Sequence, residues 1–321
     1  MGRSTDRTVL DAPARAPTPA LLAQWAYEAL VDEALLTPKP GLIDLRGQHA
    51  HGDMSLGLMC MSALTLRPWF EAMADNARLP QGLFAWRTTL GALGREAERA
   101  MLRATGGVNA HRGAIWALGL LIAATARSTH RQGAARPNAP AMGPMTTCSD
   151  INVHTLAHLA AQLARCPDRF APAQMTNKGA LACLRYRVNG ARGQAQAGFP
   201  HVIRIGLPTL LRLRATGHNE QQARLDTLLT LIATLDDTCL LSRGGTTALA
   251  WMQTQARHVL HQGGSVTAAG RIALTELNSQ ARKQGLSPGG AADLLAATLF
   301  LDRIHHHFSS RPARQDSATR A

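Results

Sequence analysis

The sequence has few cysteines, few aromatic residues and no apolar run long enough to cross a membrane. Its five cysteines are scattered and form no C-x-x-C pair, so their spacing predicts neither a disulfide framework nor a zinc site. The longest apolar stretch, 114–124, has 11 residues, about half of what a membrane-spanning helix needs. Residues 1–19 lack the apolar segment of a secretory signal. We therefore expect a protein of the reducing cytoplasm that has no membrane partner.

Lysine is also scarce, although the formal net charge is +13. Only 3 of the 34 Lys and Arg residues are lysines, a bias more typical of codon usage than of selection for phosphate binding. Aromatic residues make up 4% of the chain, which leaves little material for stacking nucleic-acid bases. We expect no nucleic-acid partner, and the positive charge suits a polyanionic small substrate equally well.

Apolar residues recur at helical spacing along nearly the whole chain, as at Leu22, Trp25, Ala29 and Leu36. The only candidate strand is weak and covers 201–205. The pattern predicts an all-α fold, a single compact multi-helix domain over 19–308 with disordered ends at 1–18 and 309–321. Residues 129–147 are rich in Gly, Pro and Ala without periodicity and predict a flexible surface loop.

Polar clusters punctuated by glycine and proline lie at the predicted helix edges. The first combines Lys39 and Asp44, in the segment TPKPGLID, with His51 and Asp53. The prolines on both sides of Lys39 exclude helix there, so we expect an ammonium presented on a stiff extended segment. Asp53 alone fits an N-cap equally well, but four such residues within fifteen favour a functional site.

The second cluster, TGGVNAHRG, precedes the apolar stretch 114–124. Gly106 and Gly107 before a helix N-terminus predict exposed backbone N–H groups and the positive end of the helix dipole, an arrangement that suits an anion. Asn109 is a candidate helix cap, and His111 and Arg112 are candidates to contact a phosphate or a sugar hydroxyl. The alternative is a tight turn with an Asn cap.

Three further clusters carry charged residues. Arg192 stands among small residues, which favours bidentate phosphate contact, although an exposed loop arginine has the same pattern. Asp237 at a predicted helix end and Arg243 in an Arg-Gly-Gly turn suggest Mg²⁺ or base chemistry and a phosphate cradle, or merely an acidic helix end. Asp293 lies in a strongly apolar helix, where a carboxylate needs a partner or a metal ion.

These clusters resemble, in order, the motifs of the triphosphoribosyl-dephospho-CoA synthase family. The matching segments are TPKPGLID with AH-x-DM, TGGVNAHRGAI, GARG-x-A-x-x-GFP, DDT-x-x-x-SRGG and LSPGGAADLLA. The resemblance covers residues 20–308, and five ordered motifs make chance similarity improbable. The sequence departs from the family pattern at His49, Ser55, Gln194 and Gln196, which favours the malonate decarboxylase branch over the citrate lyase branch.

The resemblance implies an all-helical transferase that uses Mg-ATP and 3′-dephospho-CoA. It implies transfer of the triphosphoribosyl group to a ribose 2′-hydroxyl, with adenine as leaving group, to make the prosthetic-group precursor of an acyl carrier subunit. The chain supplies candidates for each role. The catalytic candidates are Asp44, His51, Asp53, Asp237 and Asp293, of which Asp53, Asp237 and Asp293 are also candidate Mg²⁺ ligands. The substrate-binding candidates are Lys39, Gly106, Gly107, Asn109, His111, Arg112, Arg192 and Arg243.

Two other functions fit parts of the sequence. One is a helical, Mg²⁺-dependent nucleotide N-glycosidase or hydrolase, and the other is a non-catalytic, basic helical binding protein. A binding protein gives no reason for Asp293 in an apolar helix or for five glycine-punctuated clusters. A requirement for dephospho-CoA in adenine release separates the transferase from a hydrolase.

Overall fold

The computed structural model describes residues 16–47, 54–133, 152–171 and 177–309. Across these ranges the chain is helical and contains no strand beyond one isolated bridge between Asp44 and Gly47. The α-helices are α1 Pro19–Leu35, α2 Leu56–Arg78, α3 Leu83–Ala104, α4 Arg112–Gly133, α5 Val153–Arg165, α6 Lys178–Tyr186, α7 Gly190–Gln196, α8 Leu207–Ala215, α9 Glu220–Thr234, α10 Thr238–His261, α11 Ala268–Lys283 and α12 Gly289–Ser309. The all-α prediction is confirmed.

Small polar side chains fix where many of these helices begin. Thr18, Ser55, Asn177 and Asn219 each accept a hydrogen bond from a backbone N–H in the first turn of the helix that follows. These bonds satisfy N–H groups that have no partner inside the helix, so each residue sets a defined helix start.

One hydrophobic core runs through the domain, with α4 and α12 at its centre. Both helices bury nearly every apolar side chain around their circumference, including Leu118 and Leu121 on α4 and Leu299 and Phe300 on α12. Helices α1, α2, α5 and α9 pack around this pair. A helix that is apolar on all sides is stable only when surrounded in this way, so the core fixes the positions of α4 and α12.

The structure differs from the sequence prediction in the stretch 177–206. Helix α6 forms where the sequence pattern predicted no element, and α7 forms where a glycine-rich loop was the alternative, because Asn177 caps α6 and both helices pack against neighbours. The strand candidate at 201–205 is wrong. Residues His201–Gly206 form a π-helical segment that leads into α8, since alternation over five residues is too short to exclude helix.

Two features of the longer helices concern the predicted boundaries. Helix α4 continues to Gly133, so the first residues of the predicted loop 129–147 are helical. Helix α10 contains a break at Gly245, which has φ 67° and ψ −161°, a conformation open to glycine alone.

Among the described residues, no helix is both long and apolar enough to span a bilayer. The predicted disordered ends fall largely outside the described residues, and the domain limits stay predictions.

Candidate active site

The helix starts of α10 and α12 meet at one carboxylate, that of Asp237. Its Oδ1 accepts a hydrogen bond of 2.8 Å from the Cys239 N–H of α10, and its Oδ2 accepts one of 2.9 Å from the Ala291 N–H of α12. The side chain is 2% exposed. Burial raises the pKa of Asp237, against the lowering effect of these backbone N–H groups. Asp237 therefore caps two helices, at helix N-termini and not at the helix C-terminus that the sequence suggested.

A second carboxylate, that of Asp293, joins α12 to the start of α4. It accepts a backbone hydrogen bond from Ala114 and is only partly buried. A Cβ atom on Gly113 would lie 2.0 Å from Asp293 Oδ2, so glycine is required for this approach. The sequence prediction that Asp293 needs a partner is met by the N-terminus of α4.

The surroundings of Asp293 disfavour a negative charge on it. Burial raises its pKa well above the ordinary range, and the nearby carboxyl groups of Glu33 and Asp237 raise it further. The Cys239 thiol lies in the same region, and its pKa is raised by burial and then by Asp237 and Asp293. The site therefore concentrates acidic groups at the positive ends of three helices, α4, α10 and α12.

Lys39 lies at this site but is buried, not exposed as predicted. Its ammonium donates to Glu33 Oε1 and to the Glu33 carbonyl, both at 2.6 Å, and the residue is 1% exposed. Lys39 N–H also donates to Asp44 Oδ2 at 2.9 Å. Asp44 is itself fully buried and forms an ion pair with Arg46. Lys39 is thus a buried counter-ion of Glu33, and Asp44 holds the turn that carries Lys39.

His111 is buried beside this ion pair. Its Nδ1 lies 2.7 Å from Ser62 Oγ, and its buried Nε2 has no hydrogen-bond partner among the described residues. Burial, and then the charge of Lys39, lower the pKa of His111 to about 3. The imidazole is therefore neutral at physiological pH, which favours the sugar hydroxyl over the phosphate among the two contacts that the sequence suggested.

The segment before α4 has a different geometry from the expected anion cradle. The N–H groups of Gly106 and Gly107 donate to the carbonyls of Arg103 and Leu102, which closes the C-terminus of α3. They are therefore not open to a phosphate. Asn109 does act as a cap, since its Oδ1 accepts from Arg112 N–H at 3.1 Å. Arg112 Nε donates to Glu98 at 2.5 Å.

The two remaining arginines lie on the protein surface. Arg192 is on the exposed side of α7 and, within the described part of the chain, its guanidinium has no hydrogen bond or ion pair. Its positive charge reaches Arg87 on α3. Arg243 donates to the Gly285 carbonyl at 3.1 Å and so connects α10 to the turn before α12. Arg192 agrees with the prediction of a guanidinium open to a ligand.

The structure thus brings Lys39, His111, Asp237 and Asp293 together, and it places Arg112 at the same helix start as Gly113. His51 and Asp53 lie outside the described residues. Within the described ranges, no group of three or more His, Cys, Asp or Glu side chains is arranged to hold a metal ion. The predicted Mg²⁺ ligand set of Asp53, Asp237 and Asp293 includes one residue outside the described ranges and stays a prediction.

The sequence motifs do not point to Glu33 or Ser62, which the structure places at the site. Glu33 lies three and four residues after Leu30 and Ala29, on the buried stripe of α1, and Ser62 lies on the buried face of α2. The signal was a charged residue on the apolar stripe of a helix, which predicts a buried partner. That signal identifies Glu33 but not its partner, which is brought close by the turn after α1.

Comparison with known proteins gives a family match over most of the chain. The model of the family described as ATP:dephospho-CoA triphosphoribosyl transferase matches residues 19–312. No solved structure matches.

Curated relatives agree with this match. A protein of Pseudomonas fluorescens strain Pf-5 named probable 2-(5″-triphosphoribosyl)-3′-dephosphocoenzyme-A synthase is 52% identical, over 90% of this chain and 94% of its own length. A protein of Klebsiella pneumoniae named 2-(5″-triphosphoribosyl)-3′-dephosphocoenzyme-A synthase is 48% identical, over 88% of this chain and 94% of its own.

The buried neutral His111 predicts a specific loss of stability in acid. The unfolded chain takes up a proton near pH 6.5 whereas the folded protein does so only near pH 3, so unfolding becomes easier as the pH falls between these values. Between pH 7 and pH 5 this one group should lower the free energy of unfolding by about 2 kcal/mol. The measurement is urea unfolding of the wild type and of His111→Gln at both pH values.

His111→Gln should be less stable overall but should lack this part of the pH dependence. His258 lies exposed on α10, so His258→Gln is the matched control and should keep the wild-type pH dependence. An unchanged pH dependence in His111→Gln would contradict the assignment of a buried neutral imidazole.

The double capping by Asp237 predicts that Asp237→Ala destabilises the protein by about 2–4 kcal/mol, because two buried N–H groups lose their acceptor. Asp237→Asn, which keeps one carbonyl oxygen, should cost less. The neighbouring Asp236 is exposed, so Asp236→Ala is the control with the same change of charge. Chemical unfolding tests this, and equal stabilities of the two alanine variants would refute the capping role.

Proposed function

This chain belongs to the ATP:dephospho-CoA triphosphoribosyl transferase family, and we propose how its own residues perform that reaction. The enzyme is a transferase that moves the triphosphoribosyl group of ATP to dephospho-CoA. The bond between ribose C1 of ATP and adenine breaks, a bond from C1 to the 2′-oxygen of the acceptor forms, and the 2′-hydroxyl loses its proton. Adenine leaves with a proton on its nitrogen. The site therefore needs a proton acceptor, stabilisation of positive charge at C1, and a binding place for the triphosphate.

We assign the proton acceptor to Asp293, among the carboxylates left open by the sequence, because its raised pKa makes its ionised carboxylate a stronger base than an ordinary aspartate. Asp237 is buried with both oxygens bound to backbone N–H groups, and Asp44 is buried in its ion pair with Arg46. Asp293 is partly accessible and lies at the start of α4. The observation that carries this proposal is the requirement for glycine at 113, which leaves space for one oxygen of Asp293.

The triphosphate would bind over the N-termini of α4, α10 and α12, where helix dipoles favour negative charge. Arg192 supplies a guanidinium that is open to a ligand, and Arg112 lies at the start of α4. We propose that His111 acts through its neutral Nε2 as a hydrogen-bonding group toward a sugar hydroxyl, not as a cation. The buried ion pair of Glu33 and Lys39 then forms the base of the site.

Mg²⁺ supplies charge neutralisation for the triphosphate when it is bound, and one or two carboxylates plus phosphate oxygens are its usual ligands. Asp237 does not fit this role, because its carboxylate is buried in two backbone hydrogen bonds. Asp293 is accessible but is assigned to the proton. We therefore propose Asp53, which follows from the sequence motif alone, as the protein ligand of Mg²⁺.

We also propose that the product serves malonate decarboxylase and that the reaction takes place in the cytoplasm. The support is the set of departures from the family pattern at His49, Ser55, Gln194 and Gln196. Two of them, Gln194 and Gln196, bind His201 and the Ala164 carbonyl, so they join α7 to its neighbours where the family has acids. Deletion of the gene in its host should abolish growth on malonate and spare citrate fermentation, and the opposite pattern would overturn this assignment.

The experiment that tests the activity is incubation of the purified protein with Mg-ATP, with and without dephospho-CoA. Free adenine and the triphosphoribosyl product are measured by mass spectrometry. We expect equal amounts of both, and only when dephospho-CoA is present. Adenine release without the acceptor would favour the N-glycosidase or hydrolase, and no adenine in either case would favour a binding protein.

The roles of the two aspartates predict different defects. Asp293→Asn should lower kcat about a hundredfold or more, because a general base contributes on that order, without changing the Mg²⁺ concentration that gives half of the maximal rate. Asp53→Asn should raise that concentration. Steady-state kinetics at varied Mg²⁺ separates them, and an exchange of the two defects would reverse the assignment.

Gly113→Ala should displace Asp293, since the added Cβ would lie 2.0 Å from Oδ2. We expect a loss of kcat of at least about tenfold, while the better helix propensity of alanine, about 1 kcal/mol, offsets part of the stability lost with the Asp293 cap. Gly94 on α3 has no neighbour within 4 Å of the same position, so Gly94→Ala is the matched control and should keep full activity. Full activity of Gly113→Ala would contradict the role of Asp293.

A further inference from the structure

A second cluster of basic side chains surrounds a cavity outside the catalytic site. The cavity has a volume of about 170 Å³ and lies between α5 and the segment that joins α7 to the π-helical turn. His154, His158 and Arg165 line it from α5, and Arg204 lines it from the π-helical turn. The three residues of α5 share a face because they are spaced by four and seven positions.

The charge of this cavity is uncompensated. In the described ranges no acidic residue lines it, and neither Arg165 nor Arg204 has an ion pair or a side-chain hydrogen bond. His158 Nε2 lies 3.2 Å from the amide nitrogen of Gln162 on the same helix. Two guanidinium groups and two imidazoles, all exposed to solvent, line this one space, and such a set suits a ligand with several phosphate oxygens.

The walls of the cavity allow a close approach. Ala157, Ala161, Ala197 and Gly198 contribute no bulk, so a ligand can reach the backbone between the arginines. The π-helical turn that carries Arg204 is a rare element that is frequent at functional sites. The volume is large enough for a phosphate or a diphosphate group and too small for a whole nucleotide.

Helix α7 connects this cavity to the catalytic site. At its start, a Cβ atom on Gly190 would lie 3.2 Å from the side chain of Thr238, the residue after Asp237. At its other end, Ala197 and Gly198 line the cavity. Seven helical residues span about 10 Å, so one nucleotide lying along α7 reaches both the start of α10 and the cavity.

We propose that this cavity binds the diphosphate group of dephospho-CoA while the 2′-hydroxyl of the same nucleotide lies at the catalytic carboxylates. The inference rests on the proposed function for the identity of the ligand, but the diphosphate chemistry follows from the cavity itself. ATP is then held separately, with its triphosphate over the starts of α4, α10 and α12. A separate phosphorylated ligand is the other source of the same chemistry.

The test compares two double variants that remove the same charge. Arg165→Ala with Arg204→Ala alters the cavity. Arg78→Ala with Arg212→Ala removes two arginines that are exposed elsewhere and have no side-chain partner in the described structure. Inorganic pyrophosphate is titrated into the full-length protein by calorimetry in the presence of excess ATP. The wild type and the control should bind pyrophosphate, and the cavity variant should bind at least tenfold more weakly.

Kinetics then identifies the source of the diphosphate. A tenfold or larger increase in KM for dephospho-CoA in the cavity variant, with KM for ATP unchanged, supports the proposal. An increase in KM for ATP instead, or no change in either KM, overturns the assignment to the acceptor. Equal binding of pyrophosphate by all three proteins overturns the site itself. Because the titration needs no turnover, it stands even if the protein releases no adenine.

Discussion

The structure depends on a single buried carboxylate, that of Asp237, which satisfies the first turns of two helices at once. Helix N-termini leave N–H groups without partners, and burying them is unfavourable unless an acceptor is present. Here one side chain fixes the starts of α10 and α12, and Asp293 on α12 fixes the start of α4. Asp237 and Asp293 therefore lie where these three helix starts meet.

The same arrangement explains why acidic groups collect where an anionic substrate must bind. Glu33 is neutralised by Lys39, and Asp237 by backbone N–H groups. Asp293 is the acid whose carboxyl remains partly accessible, with a raised pKa. The positive ends of the helices offset the negative charge of the carboxylates, and the proposed placement of the triphosphate depends on this balance.

The fold was predictable because most of its helices are long, apolar and periodic, although the cap of α2 is Ser55 and not the candidate Asp53. The short α6 and α7 were not, since their stability comes from packing that a local pattern does not contain. Asp293 could be predicted from its apolar surroundings. The burial of Lys39 could not, because its partner Glu33 lies on a different element and is brought close only by the turn after α1.

The thiol of Cys239 lies within this junction, beside Asp237, with its pKa raised well above the ordinary range by burial and by the two nearby aspartates. Thiolates are the reactive form, so this partly buried thiol reacts slowly with alkylating reagents while its pKa stays raised. Its rate of modification is therefore a measure of local changes at the starts of α10 and α12. The reactivity of this side chain therefore reports the electrostatic environment that the two aspartates create.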